Sequence, residues 1–147
     1  MTEIVYTDER SDLNKYITAE DLSVFLKESL KPFDDDIEDI MKGIDFALSA
    51  EKGRGGFILL AMDGEELQGA LIMLHTELKG FIPPYILLYI AVRPESRGRG
   101  IGGKLISEAF ERADDDIKLH VEHDNPAKRL YERMGFTSKY AEMRYSR

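Results

Sequence analysis

The chain has 147 residues, 43% of them hydrophobic and none of them cysteine, and its formal net charge is −8 at pH 7. This length and composition predict one domain over residues 1–147, and the lack of cysteine excludes disulfide scaffolds, cysteine zinc sites and thiol nucleophiles. The negative charge argues against nonspecific nucleic-acid binding, no run approaches the roughly 18 apolar residues of a membrane span, and the acidic start lacks a signal-peptide pattern, so we expect a cytoplasmic protein.

The N-terminal third is predicted to form one strand and two helices. Residues 3–9 have the pattern of a short strand. Thr18 precedes an apolar pattern of helical period, which Pro32 ends. A second helix is predicted from Ile37 to Leu48, and the acidic run 34–36 before it fits the positive end of a helix dipole better than it fits a cation site.

The middle of the chain is predicted to form three strands in succession. Residues 57–62 and 67–75 are apolar runs separated by Asp63-Gly64, which is a hairpin turn signal. Pro83 and Pro84 indicate a loop before the third run. Residues 85–92 are apolar on both faces, which predicts a central strand.

The last third alternates helices and strands. The patterns predict a helix from Ile101 to about Asp114 and a half-buried strand over 117–123. They also predict a helix that Asn125-Pro126 opens and Gly135 ends, and a last strand from about Phe136 to Tyr145. This order of elements predicts a mixed sheet covered by helices.

The segment from Arg97 to Gly103 is rich in glycine and lies between the central strand and an amphipathic helix. A helix N-terminus exposes unpaired N–H groups and a partial positive charge, and glycines let a ligand approach the backbone closely. Together these features predict a phosphate cradle.

Two alternatives to this phosphate cradle stay open. Gly98-x-Gly100-x-x-Gly103 also fits the dinucleotide fingerprint, with Glu122 about 20 residues further on. However, residues 93–97 separate the strand from the glycines, and residues 123–147 are too few to complete a doubly wound sheet. The other alternative is a glycine-rich turn without a ligand.

Two motifs resemble those of the GNAT superfamily of N-acetyltransferases. Val92-x-Pro94-x-x-Arg97-Gly98-x-Gly100-Ile101-Gly102 is similar to its acyl-CoA-binding motif, Arg/Gln-x-x-Gly-x-Gly/Ala. Asn125-Pro126-Ala127, followed by Leu130-Tyr131-Glu132 and Gly135-Phe136, is similar to the next motif of the family. The resemblance implies an α/β (α+β) fold with a mixed, mostly antiparallel central sheet and helices on both faces.

The resemblance also implies acetyl-CoA as the cofactor. Backbone amides from about Arg99 to Gly103 would bind its pyrophosphate, and the pantetheine would follow the central strand, which the family splays from the next one. Asn125 would contact the cofactor or simply cap its helix, and both roles are compatible. The implied cofactor-binding residues are Ile90, Ala91, Val92, Arg97, Gly98, Arg99, Gly100, Ile101, Gly102, Gly103 and Asn125.

The resemblance implies Tyr131 as the general acid that protonates the departing thiolate, although its position also suits a core residue. Where some members carry a glutamate base, this chain has Ile86. The candidate substitutes are His75, Glu77, Tyr85, His120 and Glu122. Among them His120 is preferred, because it lies on the strand beside the cofactor and an imidazole titrates near neutral pH.

We therefore expect a single-domain N-acetyltransferase that transfers an acetyl group from acetyl-CoA to a primary amine through a tetrahedral intermediate. The acceptor would be a small molecule or a peptide amine. The absence of a carboxylate at Ile86 keeps open an alternative, a non-catalytic acyl-CoA-binding or regulatory module. We expect no nucleic-acid, membrane or metal partner, and a homodimer stays open.

Overall fold

The computed structural model describes residues 1–147, and a five-stranded sheet lies at its centre in the order β1-β2-β3-β4-β5. The strands are β1 (Glu3–Thr7), β2 (Gly56–Asp63), β3 (Glu66–His75), β4 (Tyr85–Val92) and β5 (Ile117–Lys118). The helices are α1 (Arg10–Leu13), α2 (Ala19–Leu30), α3 (Ile37–Ala47), α4 (Ile101–Arg112) and α5 (Ala127–Arg133). Strands β1 to β4 pair antiparallel and β5 pairs parallel with β4, which confirms the mixed, mostly antiparallel α/β fold.

Helices cover both faces of this sheet. Side chains alternate between the two faces of a strand, so Ile58 and Leu60 belong to one core with α1, α2 and α3. Leu59 and Leu71 belong to a second core with α4 and α5. The sheet is apolar on both sides for this reason, as the continuous apolar runs of its strands predict.

The sequence signals at several element ends are confirmed. The Thr18 hydroxyl accepts a hydrogen bond of 3.1 Å from the N–H of Asp21, which begins α2. Gly135 follows α5 with φ at 103°, a conformation that favours glycine. Asp36 precedes α3 without accepting a capping hydrogen bond, so its contribution is that of charge near the helix dipole. The short helix α1 was not predicted.

The predictions for the C-terminal strands were wrong in extent. The strand predicted over 117–123 pairs with β4 only at Ile117 and Lys118, and the strand predicted from Phe136 to Tyr145 is absent. Met143 and Tyr145 alternate with the polar residues Glu142 and Arg144, but their side chains are exposed. A strand needs a neighbour whose backbone groups it can pair with, and residues 136–145 pair with no strand.

Candidate active site

An open slot lies between β4 and β5. Strand β4 pairs with β3 from Tyr85 to Val92, but it pairs with β5 only at Tyr85 and Ile86. From Leu87 to Val92, the edge that faces away from β3 therefore has no strand beside it. The resemblance implied that the pantetheine lies along the end of this strand. The residues expected to contact it, Ile90, Ala91 and Val92, are on the open half of β4.

The glycine loop begins where the open half of β4 ends. A short 3-10 helix, Pro94–Ser96, leads into it, and Gly98 and Gly100 adopt φ angles of 79° and 80°. Nothing lies within 4 Å of the position that a Cβ would take at either glycine. These two glycines are thus needed for their left-handed backbone, and the space in front of them is open to a ligand.

The backbone N–H groups from Gly98 to Gly103 donate to no protein group. The first one to donate is that of Lys104, whose N–H reaches the carbonyl of Gly100 at 3.1 Å. Free N–H groups at a helix N-terminus, together with the helix dipole, form an anion site. The charged side chains of Arg99 and Lys104 lie beside this cradle without an ion pair.

Gly102 has a packing role that the sequence did not reveal, and Ile101 packs as the amphipathic pattern of its helix predicts. A Cβ on Gly102 would lie 2.9 Å from Cδ2 of Leu130, so this glycine lets α4 and α5 approach closely. The side chain of Ile101 is buried in the core between the sheet and α4. Only the backbone N–H groups of these two residues remain for a ligand.

Arg97 braces the loop with its side chain. Its Nε donates to the carbonyl of Val92 at 3.0 Å, and its Nη2 donates to the carbonyl of Ser29 on α2 at 2.7 Å. The guanidinium thus ties the glycine loop to the opposite face of the sheet. The structure gives this side chain a structural role in addition to the predicted cofactor contact.

Asn125 caps α5. Its Oδ1 accepts a hydrogen bond of 2.9 Å from the N–H of Ala127. The predicted capping role is confirmed, and the side-chain amide N–H groups remain free to donate to a ligand.

Tyr131 lies on α5 and is 9% exposed. Its ring packs edge-on against Phe136 with the centroids 5.9 Å apart. Burial, with a smaller contribution from the charge of Glu122, raises the pKa of the phenol to about 12. The hydroxyl therefore keeps its proton at neutral pH.

The predicted bases are scattered. His120 is exposed and lies beyond the end of β5, and Glu122 and Glu77 are also exposed. The ring of His75 stacks on Tyr85 with the centroids 4.2 Å apart, at the end of β4 where the slot is closed. The hydroxyl of Tyr85 donates to Asp114 at 2.9 Å.

Two residues that the sequence analysis did not select meet at the open half of β4. The hydroxyl of Tyr89 donates a hydrogen bond of 2.7 Å to Oδ2 of Asp35, which lies in the α2–α3 connection. No sequence signal identifies this pair, because the two residues are 54 positions apart.

One surface depression measures about 560 Å³ and is lined by Gly100, Gly103 and the exposed side of α4. Another measures about 340 Å³ and lies between the end of α4 and residues 134–136. Neither depression is lined by β4.

No group of three or more histidine, aspartate and glutamate side chains could hold a metal ion. No helix has the length and apolar character needed to cross a membrane.

The family of the chain follows from its sequence. A family model described as the acetyltransferase (GNAT) domain matches residues 53–138. Because this match covers more than half of the chain, the protein belongs to the GNAT acetyltransferase family. A search of curated protein sequences finds no match.

Solved structures of acetyltransferases share the fold over nearly the whole chain. A GNAT-family acetyltransferase from Streptococcus pneumoniae has a TM-score of 0.70 at 18% identity, covering 100% of this chain and 98% of its own. An aminoglycoside N-acetyltransferase solved with CoA has a TM-score of 0.69 at 16% identity, covering 100% and 95%. An aminoglycoside acetyltransferase from an uncultured soil metagenomic sample, solved with sisomicin, has a TM-score of 0.67 at 18% identity, covering 99% and 95%.

Proposed function

We propose that this protein is an acetyl-CoA-dependent N-acetyltransferase that acetylates a primary amine. The observation that carries the proposal is the alignment of the open half of β4 with the free N–H groups of Gly98–Gly103. A long acyl carrier with a phosphate group at one end fits this arrangement, because an extended arm can follow an open strand edge and its phosphates can meet the helix N-terminus. We include all residues 1–147 in the acetyltransferase unit, since both cores share one sheet.

The residues present fit acetyl-CoA. Gly98 and Gly100 place no side chain in the cradle. The side-chain amide of Asn125 has N–H groups that donate to no protein acceptor. Arg99 and Lys104 supply positive charge for the phosphates. When bound, the thioester would supply an activated acetyl group. The backbone of Ile90 and Val92 on the open edge offers hydrogen-bonding groups to the arm.

Tyr131 is the proposed general acid. Amide formation requires that the bond between the acetyl carbon and sulfur break, and the departing thiolate needs a proton. The phenol keeps its proton at neutral pH because burial raises its pKa to about 12, so it can donate a hydrogen bond to sulfur as negative charge develops there.

A non-catalytic acyl-CoA-binding module remains a second candidate, and the observation that favours it is the side chain of Ile86. Isothermal titration of CoA into the protein, together with thiol release from acetyl-CoA in the presence of a panel of amines, separates the two functions. The enzyme binds CoA and releases thiol only when an acceptor is present, whereas the module binds CoA without amine-dependent release.

The cradle itself is tested with Gly100→Glu, which places bulk and negative charge in front of the free N–H groups. We expect CoA binding to be lost. Gly64→Glu is the matched control, because Gly64 has a φ of 61° and open space around it but lies in the β2–β3 hairpin. Wild-type CoA affinity in Gly100→Glu would place the phosphate site elsewhere, provided that both variants melt as folded proteins.

A further inference from the structure

A β-bulge turns two consecutive side chains of β4 towards α2 and α3. Tyr89 faces Ile72 on β3 and Leu87 faces Met73, so Leu88 has no opposite residue. Both Leu88 and Tyr89 consequently pack against the core beneath α2 and α3. Gly43 of α3 permits this packing, since a Cβ there would lie 2.5 Å from Cδ2 of Leu88.

The bulge places the Tyr89 hydroxyl against Asp35. The hydrogen bond to Oδ2 of Asp35 measures 2.7 Å, and burial followed by the charge and hydrogen bond of Asp35 holds the pKa of Tyr89 well above its usual value. Tyr89 therefore donates and does not accept here. The hydrogen bond fixes one oxygen of the carboxylate, and the other oxygen, Oδ1, has no protein partner.

The Asp35 carboxylate has no cationic partner. Lys27 donates instead to Oδ2 of Asp34 at 2.7 Å and to the backbone carbonyl of Asp35 at 3.1 Å. These two bonds hold the connection between α2 and α3 in place. The other charged groups near Tyr89 and Asp35 are Asp36 beside them and Asp39 on α3, which are both negative.

Tyr89, which donates to Asp35, and Tyr131 pack on opposite faces of the sheet. Tyr131 belongs to the core of α4 and α5, whereas Tyr89 packs on the core of α2 and α3. Tyr89 lies on the open half of β4, three residues or about 10 Å of strand from Ile86, where β5 stops pairing.

We propose that Asp35 is the general base of the reaction and that Tyr89 is its positioning residue. This proposal rests on the proposed function. A protonated amine, R–NH3+, gives one proton to the Asp35 carboxylate, which passes it to water. The nitrogen lone pair then forms the C–N bond to the acetyl carbon. As the C–S bond breaks, its electron pair stays on sulfur, and the second nitrogen proton replaces the one that Tyr131 donates to sulfur. The preferred acceptor is consequently a cationic, strongly basic amine.

The test compares Asp35→Asn with Asp36→Asn. Asparagine at position 35 can still accept the Tyr89 hydrogen bond through its carbonyl oxygen but cannot take a proton. We expect kcat/KM for a strongly basic amine to fall by about 10²–10⁴-fold in Asp35→Asn, with calorimetric CoA affinity unchanged. Asp36→Asn removes the same charge from the adjacent residue and should stay within a few-fold of the wild type.

The basicity of the acceptor gives a readout that lost packing would not change. An amine that is already unprotonated at neutral pH needs no base before attack, so the Asp35→Asn defect should shrink towards the Asp36→Asn value for such an acceptor. Tyr89→Phe should lower kcat/KM for the strongly basic amine by a smaller factor, about 3–30-fold on the scale of one lost hydrogen bond.

Several outcomes overturn the proposal. It fails if Asp35→Asn and Asp36→Asn have equal rates, or if the Asp35→Asn defect is the same for protonated and unprotonated amines. A wild-type protein that binds CoA but acetylates no amine contradicts the proposed function and this inference together. Wild-type acetylation that survives intact in Asp35→Asn contradicts this inference alone.

Discussion

The two faces of the slot differ in how their chemistry is encoded. On the face of α4 and α5, the cradle Gly98–Gly103, the cap Asn125 and the candidate acid Tyr131 occur in order along one stretch of chain. On the face of α2 and α3, Asp35 and Tyr89 are 54 positions apart and meet only through a bulge. A site built from backbone N–H groups can be recognised in the sequence as a cluster of glycines. A site built from two side chains that are far apart in the chain has no local sequence pattern.

The largest effect that tests this contrast is expected for Tyr131→Phe. The substitution keeps the ring that packs on Phe136 and removes only the hydroxyl. If the α4/α5 face supplies the acid, turnover should fall by about 10²–10⁴-fold, while calorimetric CoA affinity stays within a few-fold. Wild-type turnover, under conditions where the chemical step limits the rate, would reduce Tyr131 to a core residue.

The contrast also explains which parts of the molecule could be predicted. β4 was predicted with its observed ends because residues 85–92 form an unbroken apolar run, and α2 because Thr18 caps it. The prediction of a strand over 136–145 was wrong. An alternation of apolar and polar residues within one segment does not show whether a neighbouring strand is available to pair with it. The brace formed by Arg97 could not be predicted either, since its acceptor is a backbone carbonyl of Ser29, and any residue type presents such a carbonyl.

A second prediction concerns stability at alkaline pH. The pKa of Tyr131 is about 12 in the folded chain against 10.0 for an unperturbed phenol. The buried neutral phenol therefore contributes its full stabilisation below pH 10 and loses it as the pH rises to 12. This loss amounts to at most about 2–3 kcal/mol.

The measurement is denaturant unfolding at a series of pH values between 9 and 12. The wild type should lose more stability over this interval than Tyr131→Phe, which has no proton to lose. Tyr145→Phe is the matched control, because that ring is 84% exposed, and it should follow the wild type. Identical curves for all three proteins would show that the phenol of Tyr131 is well solvated.

The smallest expected effect separates two arginines of the same loop. Arg97→Met removes the donors to the carbonyls of Val92 and Ser29, which connect the glycine loop to α2. We expect the free energy of unfolding without ligand to fall by about 1–2 kcal/mol. This value is near the lower end of the range for hydrogen bonds that involve a charged group, because the Arg97 side chain is exposed to water.

Arg99→Met is the comparison, since its side chain has no hydrogen-bond or ion-pair partner in the protein. It should leave stability within about 0.5 kcal/mol and weaken CoA binding a few-fold, and this difference should diminish as salt screens exposed charges. Thermal melting without CoA and titration calorimetry at two salt concentrations distinguish the two roles. If Arg97→Met instead melts like the wild type and loses the salt-dependent part of the CoA affinity, its guanidinium binds phosphate. The brace to α2 would then be dispensable, and the two faces of the sheet would be less coupled than these hydrogen bonds indicate.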